Sequence, residues 1–448
     1  MALTGIEIFK LLPKTNCKEC GDPTCLAFAM KIATGKAELT ACPYISEEAK
    51  AKLSEASAPP IKVVTIGVGD RALKVGGETV MFRHEKRFDK PPGLAILISN
   101  TMTESEVDAR LKRFNQFQYE RVGLNLRPEL VAVKDESGDV SKFEALASKA
   151  KQNSDASIIL MSSNPDTLAA GLKACADRKP LIYAATKDNL DSVAALAKEH
   201  SCPVAVKAAD VEELSQLTTK LTEAGVNDIV LDSGARSIRQ VFEDQVIIRG
   251  AALNKKFRPL GFPTIVFPCE MTDDPMKEAV IASIFVAKYA GIIVLSDFQG
   301  ESLFPLLVER MNIYTDPQRP LATTEGIYEI GNPDENSPVL ITSNFALTYF
   351  IVSGEIEGSR VPAYLLVKDT EGLSVMTGWA AGKFVADTIA PFVKKCGIAD
   401  KVKNHKLTIP GHAAAESGGL EEELPGWQVE VGPREGTHIP AYLKAWKP

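Results

Sequence analysis

From Leu94 onward the sequence repeats one pattern eight times, a short apolar run followed by a stretch with helical periodicity. The runs are LAILIS (94–99), LVAV (130–133), SIILM (157–161), LIYAA (181–185), VAVK (204–207), DIVL (228–231), TIVF (264–267) and GIIVL (291–295). A brief, unbroken run rich in β-branched residues suits a strand buried on both faces, as in a parallel sheet. The stretches between them, such as ESEVDARLKRFNQFQYERV, SKFEALASKAKQ, PDTLAAGLKACAD, DNLDSVAALAKEH and DVEELSQLTTKLTEAG, have helical periodicity. Asn164 before Pro165-Asp166, and Asp210 before the next helix, are good N-caps. Eight regular units predict a central (β/α)8 TIM barrel. An open doubly wound sheet is the alternative, but few such sheets run through eight units without interruption.

The pattern changes on either side. Ser54 to Pro60, SEASAPP, reads as a linker that closes a small N-terminal domain. In IKVVTIGVGDRALKVGGETVMFRHEKRF, apolar residues alternate about Gly76-Gly77, which predicts a hairpin placed as a floor or plug for the barrel. His84 lies in the charged FRHEKRF stretch of that segment and reads as part of a solvated face. After NPDENSP (332–338) four strands are expected, VLITS (339–343), AYLLV (363–367), HKLTI (405–409) and WQVEV (427–431). A helix from Asn344 and a long helix from Ser374 to Lys395 lie between them. This makes a small Rossmann-like α/β domain, whose ligand belongs outside the strand C-termini. The loops there are rich in Gly, Ser and Thr: Thr342-Ser343, Asp369 to Thr377, Gly411-His412-Ala413 and Gly432 to Thr437. The expected domains are 1–57, 58–325 and 326–448.

A net charge of −7 argues against nucleic acid as a partner, since phosphate binding needs clustered Lys and Arg. No apolar run reaches the roughly 18 residues of a membrane span. MALTGIEIFKLLPK lacks the features of a secretory signal, so a cytoplasmic protein is expected. In that compartment the eight cysteines are not expected to form structural disulfides. Cys175, Cys202, Cys269 and Cys396 are scattered and read as small buried hydrophobes.

The other four cysteines are clustered. Cys17, Cys20, Cys25 and Cys42 follow C-x2-C-x4-C-x16-C, with Pro43 directly after. Four thiolates are what a [4Fe–4S] cube requires. Structural zinc is one alternative, although zinc sites usually show two matched C-x2-C knuckles and only one occurs here, and a chance spacing or a disulfide is the other.

The stretch NCKECGDPTCLAFAMKIATGKAELTACPYIS resembles the N-terminal module of the large (gamma) subunit family of corrinoid/iron–sulfur proteins of the acetyl-CoA (Wood–Ljungdahl) pathway. The resemblance covers essentially the whole chain and includes DTEGLSVMTGWAAGKF near the C-terminus. The archaeal subunit of the acetyl-CoA decarbonylase/synthase complex has the same plan. What the resemblance implies is a methyl carrier subunit acting in the methyltransferase class. It would hold one [4Fe–4S] cluster on the four cysteines and one corrinoid, a cobalamin-type cofactor, in the C-terminal domain. Carried over by position, the corrinoid contacts are Thr342, Thr348, Gly372, Ser374, Val375, Met376 and Thr377, then Gly432 and Pro433. No catalytic side chain is implied, because the cofactor's Co(I) is the nucleophile. The cluster would return Co(II) to Co(I) after oxidation. Implied partners are a small corrinoid/iron–sulfur subunit in a heterodimer, a methyltetrahydrofolate-dependent methyltransferase, acetyl-CoA synthase as methyl acceptor, and a low-potential donor such as ferredoxin.

Plainer readings stand beside these. Gly, Ser and Thr at strand ends also make ordinary turns and caps. His412 in PGHAA is a lone loop histidine, and Asp-x-His-x-x-Gly, which supplies a lower-face cobalt ligand in many cobalamin domains, is absent. A base-off corrinoid with no protein axial ligand is therefore expected. Asn100, Ser162, Asn164, Asp232, Glu270 and Asp297 fall where barrel enzymes place their sites, yet no pair has a spacing diagnostic of acid–base chemistry. A stand-alone pterin-dependent barrel methyltransferase and a one-cluster electron-transfer protein are the alternative functions.

Overall fold

The structure is a computed structural model describing residues 5–33, 37, 41–46, 49, 59–121, 123–317 and 320–448. It divides into two compact units: residues 1–81, 92–107 and 129–297, and residues 82–91, 108–128 and 298–448. Residues 54–58 of the expected linker lie outside the described residues.

The first unit opens with two helices, Gly5–Leu11 and Cys25–Ala33, packed around Ile8, Leu12 and Phe28. A hairpin follows, β1 (Val64–Ile66) and β2 (Leu73–Val75). Its turn is the short helical segment Gly69–Arg71, and not Gly76-Gly77 as the sequence pattern suggested. Gly76 (φ +87) instead passes so close to the Lys62 carbonyl that no side chain fits there. Val64, Ile66 and Val75 are fully buried against the inner barrel side chains, so this hairpin is the expected plug. Ser157 Oγ donates to the Ile66 and Arg71 carbonyls at 3.1 Å each, which fixes the plug to the N-terminal ends of the strands.

The barrel strands are β3 (Gly93–Ser99), then, after a small hairpin β4 (Tyr119–Arg121) and β5 (Leu124–Leu126), β6 (Leu130–Lys134), β7 (Ser157–Met161), β8 (Leu181–Ala185), β9 (Val204–Lys207), β10 (Ile229–Asp232), β11 (Ile265–Val266) and β12 (Ile292–Leu295). All eight pair in parallel in chain order, and a Leu231–Thr264 bridge closes β10 onto β11. Alternate residues point inward, as at Ala132, Ile159, Ala205, Val230 and Ile292. Asn164 and Asp210 cap their helices as expected, accepting from Asp166 N at 2.9 Å and Glu213 N at 2.8 Å. The segment Tyr119–Arg121, expected as the end of the first barrel helix, is a strand, and that helix stops at Gln116. Cys175 and Cys202 are buried, and burial pushes their thiols up to about 12 and about 11. Cys269 and Cys396 are half-buried, and desolvation raises both.

In the second unit a five-stranded sheet runs β13 (Gly326–Ile330), β15 (Ala363–Lys368), β14 (Val339–Ser343), β16 (Lys406–Ile409), β17 (Gln428–Val431). The last four are the expected parallel strands. β13 is an additional antiparallel edge strand that the sequence reading missed. The expected long helix from Ser374 to Lys395 is two helices, Val375–Ala380 and Ala386–Lys395. Between them Gly382 takes φ +71 and the fully buried Phe384 turns into the core. No helix among the described residues is long and apolar enough to cross a membrane.

Candidate functional site

Strand order places β14 in the sheet interior, with the chain proceeding to β15 on one side and later to β16 on the other. That reversal leaves a crevice beyond the C-terminal ends of β14 and β16, where open α/β sheets bind ligands. A cavity of about 300 Å³ occupies it. Leu340, Ile341, Ile351, Val352, Pro410 and Ile439 make most of its wall apolar. Of the residues carried over by position, Thr342, Thr348, Ser374, Val375, Met376, Gly432 and Pro433 line it. Gly372 and Thr377 do not. Gly372 (φ +77) donates its N–H to Asn344 Oδ1 at 3.0 Å, and Thr377 Oγ1 lies 3.0 Å from the lining Ser374 Oγ.

Two observations point from this cavity to a ligand. Thr342 is 1% exposed, and its Oγ1 is buried without a hydrogen-bond partner among the described residues. A buried hydroxyl is seldom left that way. The loops after β16 and β17 also approach so closely that a Cβ on Gly432 would stand 2.8 Å from Thr408 Cγ2, and one on Gly411 2.7 Å from the Gly432 carbonyl. Gly411 N donates to the Pro433 carbonyl at 3.0 Å, locking the two loops together. The lining contains no carboxylate. Its titratable members are His412 and Arg434, both exposed at the rim.

Sequence reasoning missed Asn344. Buried at the end of β14, its Oδ1 accepts from Thr370 N, Thr370 Oγ1 and Gly372 N at 2.9–3.0 Å, and its Nδ2 donates to Asp369 at 2.8 Å. It fixes the loop leading to Ser374. Glu416 does similar work, accepting from Trp379 Nε1 at 2.7 Å and Ala386 N at 2.8 Å across the helix break.

In the N-terminal module all four cysteines are free thiols. Cys25 and Cys42 are buried in one small core with Ile8, Phe28 and Ile45, Cys20 packs against it, and Cys17 is exposed. Asn16 Oδ1 accepts from Cys25 N at 2.8 Å, and Tyr44 OH donates to Glu19 at 2.7 Å, joining the segments before and after the helix. Positive φ recurs at Lys14, Asn16, Lys18 and Gly21, a backbone form that turns N–H groups toward one side and suits an anionic group. Among the described residues no three metal-ligating side chains converge. The fit to a cluster therefore rests on the donor chemistry of four thiols and on this backbone.

At the barrel's C-terminal end a second charged constellation forms. Arg236 pairs with Asp232 at 3.0 Å and with Glu270, and Tyr183 OH donates to Asp232 at 2.6 Å. Burial would raise the Glu270 carboxyl, but the Arg236 guanidinium holds it below its usual range. Asn100 and Ser162 both donate to Asp135, at 2.8 and 3.0 Å.

A family model described as CO dehydrogenase/acetyl-CoA synthase delta subunit matches residues 63–443, and an Fe-S cluster model matches residues 12–44. The chain is 44% identical to the corrinoid/iron-sulfur protein large subunit of Moorella thermoacetica, over 99% of each. It is 37% identical to the acetyl-CoA decarbonylase/synthase complex subunit gamma of Methanopyrus kandleri, over 99% of this chain and 97% of that one. The solved 7,8-dihydropteroate synthase of Vibrio fischeri ES114 superposes with a TM-score of 0.38 at 14% identity, covering 56% of this chain and 99% of that one. Extending over both units and the cysteine module alike, the family models and the two sequence relatives establish that the chain belongs to the CO dehydrogenase/acetyl-CoA synthase delta-subunit family, together with the corrinoid/iron-sulfur protein large subunits.

Proposed function

We propose that this chain is a corrinoid-dependent methyl carrier of the acetyl-CoA pathway, with a cluster domain at 1–57, a barrel at 58–325 and a corrinoid domain at 326–448. The observation that carries the reading is the apolar crevice between β14 and β16, with the unpartnered Thr342 hydroxyl on its wall. When bound, a corrinoid supplies a cobalt centre that takes and releases a methyl group, and a cluster on Cys17, Cys20, Cys25 and Cys42 supplies single low-potential electrons. The chain's own work is holding and shielding. Thr342, Thr348 and Ser374 offer hydroxyls to the cofactor's polar edge, Val375, Met376 and Ile351 cover its apolar faces, and Gly432 lets backbone approach it. Met376 and Ile351 are 57% and 48% exposed, and Leu347 and Trp379 continue that apolar rim.

Such a rim suits a partner that completes the cover, here a small corrinoid/iron–sulfur subunit. A methyltetrahydrofolate-dependent methyltransferase, acetyl-CoA synthase and a ferredoxin-like donor are the proposed exchange partners. The cofactor is proposed to sit base-off, with His412 staying at the rim and off the metal. Anaerobically purified protein should contain one corrinoid and four iron atoms per chain. Iron without corrinoid would favour an electron-transfer protein, and turnover of methyltetrahydrofolate by the isolated chain would favour a barrel enzyme. Electron paramagnetic resonance of the Co(II) state should show no nitrogen splitting that His412→Ala removes.

A further inference from the structure

The barrel carries a cavity of its own, about 410 Å³, at the C-terminal strand ends, lined entirely from residues 134–270. None of those residues lines the crevice beyond β14. Along each barrel strand every second residue faces the axis, so Lys134, Tyr183, Lys207 and Asp232 continue the inner series of Ala132, Leu181, Ala205 and Val230. The plug closes the other end, and of this polar upper layer Lys134, Tyr183 and Lys207 line the cavity, with Asp232 buried behind them.

The charges lining the cavity can be accounted for one by one. Lys134 lies 3.1 Å from Glu136 and 3.4 Å from Glu270. Glu270 is also held by Arg236. Asp135 accepts from Asn100, Ser162 and Gly138 N at 2.8–3.0 Å. Lys187 and Glu213 face each other at 3.9 Å, and Glu213 accepts from Ala209 N at 2.8 Å. Two lining charges remain. Neither Lys207, half-buried on β9, nor Asp188, exposed on the loop after β8, has a hydrogen-bond or ion-pair partner among the described residues. Lys207 stands in register beside Asp232 on β10, but that carboxylate is taken by Arg236 and Tyr183, which leaves the Lys207 ammonium open to a ligand's charge.

We propose that the upper mouth of the barrel binds a small zwitterion of amino-acid size, with Lys207 taking its carboxylate and Asp188 its ammonium group. A zwitterion meets both charges, whereas a simple anion or a simple amine meets only one. The volume falls within the range of small-ligand sites. Tyr183, anchored on Asp232 and Arg236, forms a fixed polar wall, and Ser163 lines the opening between the Ser162 and Thr186 hydroxyls, which Asp135 and Asn189 hold in place.

The test uses the full-length protein with its cofactors in place, titrated with glycine, acetate and methylamine by saturation-transfer difference NMR. Glycine should bind saturably at millimolar concentration, and acetate and methylamine about tenfold more weakly, as expected when one charge-assisted bond is lost. Lys207→Met and Asp188→Asn should each weaken glycine binding about tenfold, and Ser163→Trp at the rim should abolish it. Asp188 is on the surface, so its variant reports even if Lys207→Met fails to fold. Absence of saturable glycine binding, equal binding of acetate, or binding unaffected by Asp188→Asn and Ser163→Trp would overturn the proposal. Corrinoid and iron content should be unchanged in all three variants, so this outcome is separable from the methyl-carrier reading.

Discussion

An unpaired hydroxyl inside an apolar wall is a standing cost of about 1–3 kcal/mol unless a ligand answers it. Thr342→Val removes that cost and keeps the shape. The apoprotein should therefore be as stable as the parent or slightly more so, while corrinoid affinity falls about tenfold, measured by equilibrium dialysis. Cys25 is buried beside Phe28 and Ile45 in a different compartment of the chain. Cys25→Ala should abolish the brown cluster absorbance and leave corrinoid content near that of the parent. Reactivation of oxidised protein by a reduced ferredoxin should then fail. Normal reactivation would remove the cluster from the proposed cycle. These residues were visible in the sequence because they sit at strand ends or in a fixed cysteine spacing. Asn344 was not, since its role depends on Asp369, Thr370 and Gly372, a full helix and strand away.

Regular elements were legible where burial dictates composition. The eight barrel strands are short apolar runs because both faces are covered, and the runs coincide with the observed strands to within two residues at each end. β13 lacks that signal, because an edge strand with no buried residue has a mixed composition. The helix break near Gly382 was hidden for a different reason, since helical periodicity persists on both sides of it. Gly382 has open space around its Cβ position, so Gly382→Ala should cost only the left-handed backbone strain, about 1 kcal/mol, seen as a small shift in urea midpoint. The barrel's upper ion network was illegible because Lys134 and Tyr183 come from two strands, and Arg236 and Glu270 from the segments that follow two others. It has a pH signature. Glu270 titrates below its ordinary range when folded, so its contribution is full above about pH 4.3 and fades as pH falls through that value and below. Glu270→Gln should therefore be less stable than the parent at neutral pH, and the difference should vanish in acid, followed by denaturant titration at several pH values.

At the scale of the molecule, the cavity beyond β14 draws all its lining from residues 340–439. A fragment from Leu321 to Pro448 should accordingly bind corrinoid, but more weakly than the full chain. It lacks residues 82–91, 108–128 and 298–320 of its own unit, including the Arg121 guanidinium that lies 4.6 Å over the Phe350 ring. Full-strength binding by the fragment would show those segments to be dispensable. The sequence revealed the order of modules, but not that two stretches upstream belong with the C-terminal sheet, because their partners lie some 200 residues on. The hairpin of Val64–Ile66 and Leu73–Val75 has a kinetic consequence. Together with the inner side chains it fills the barrel below its upper layer, so the cavity at the mouth is a blind vessel and not a duct. Whatever enters must leave by the same opening, so entry and escape are obstructed together. A lid over that single opening would lengthen the residence time of an occupant without changing how tightly it is held.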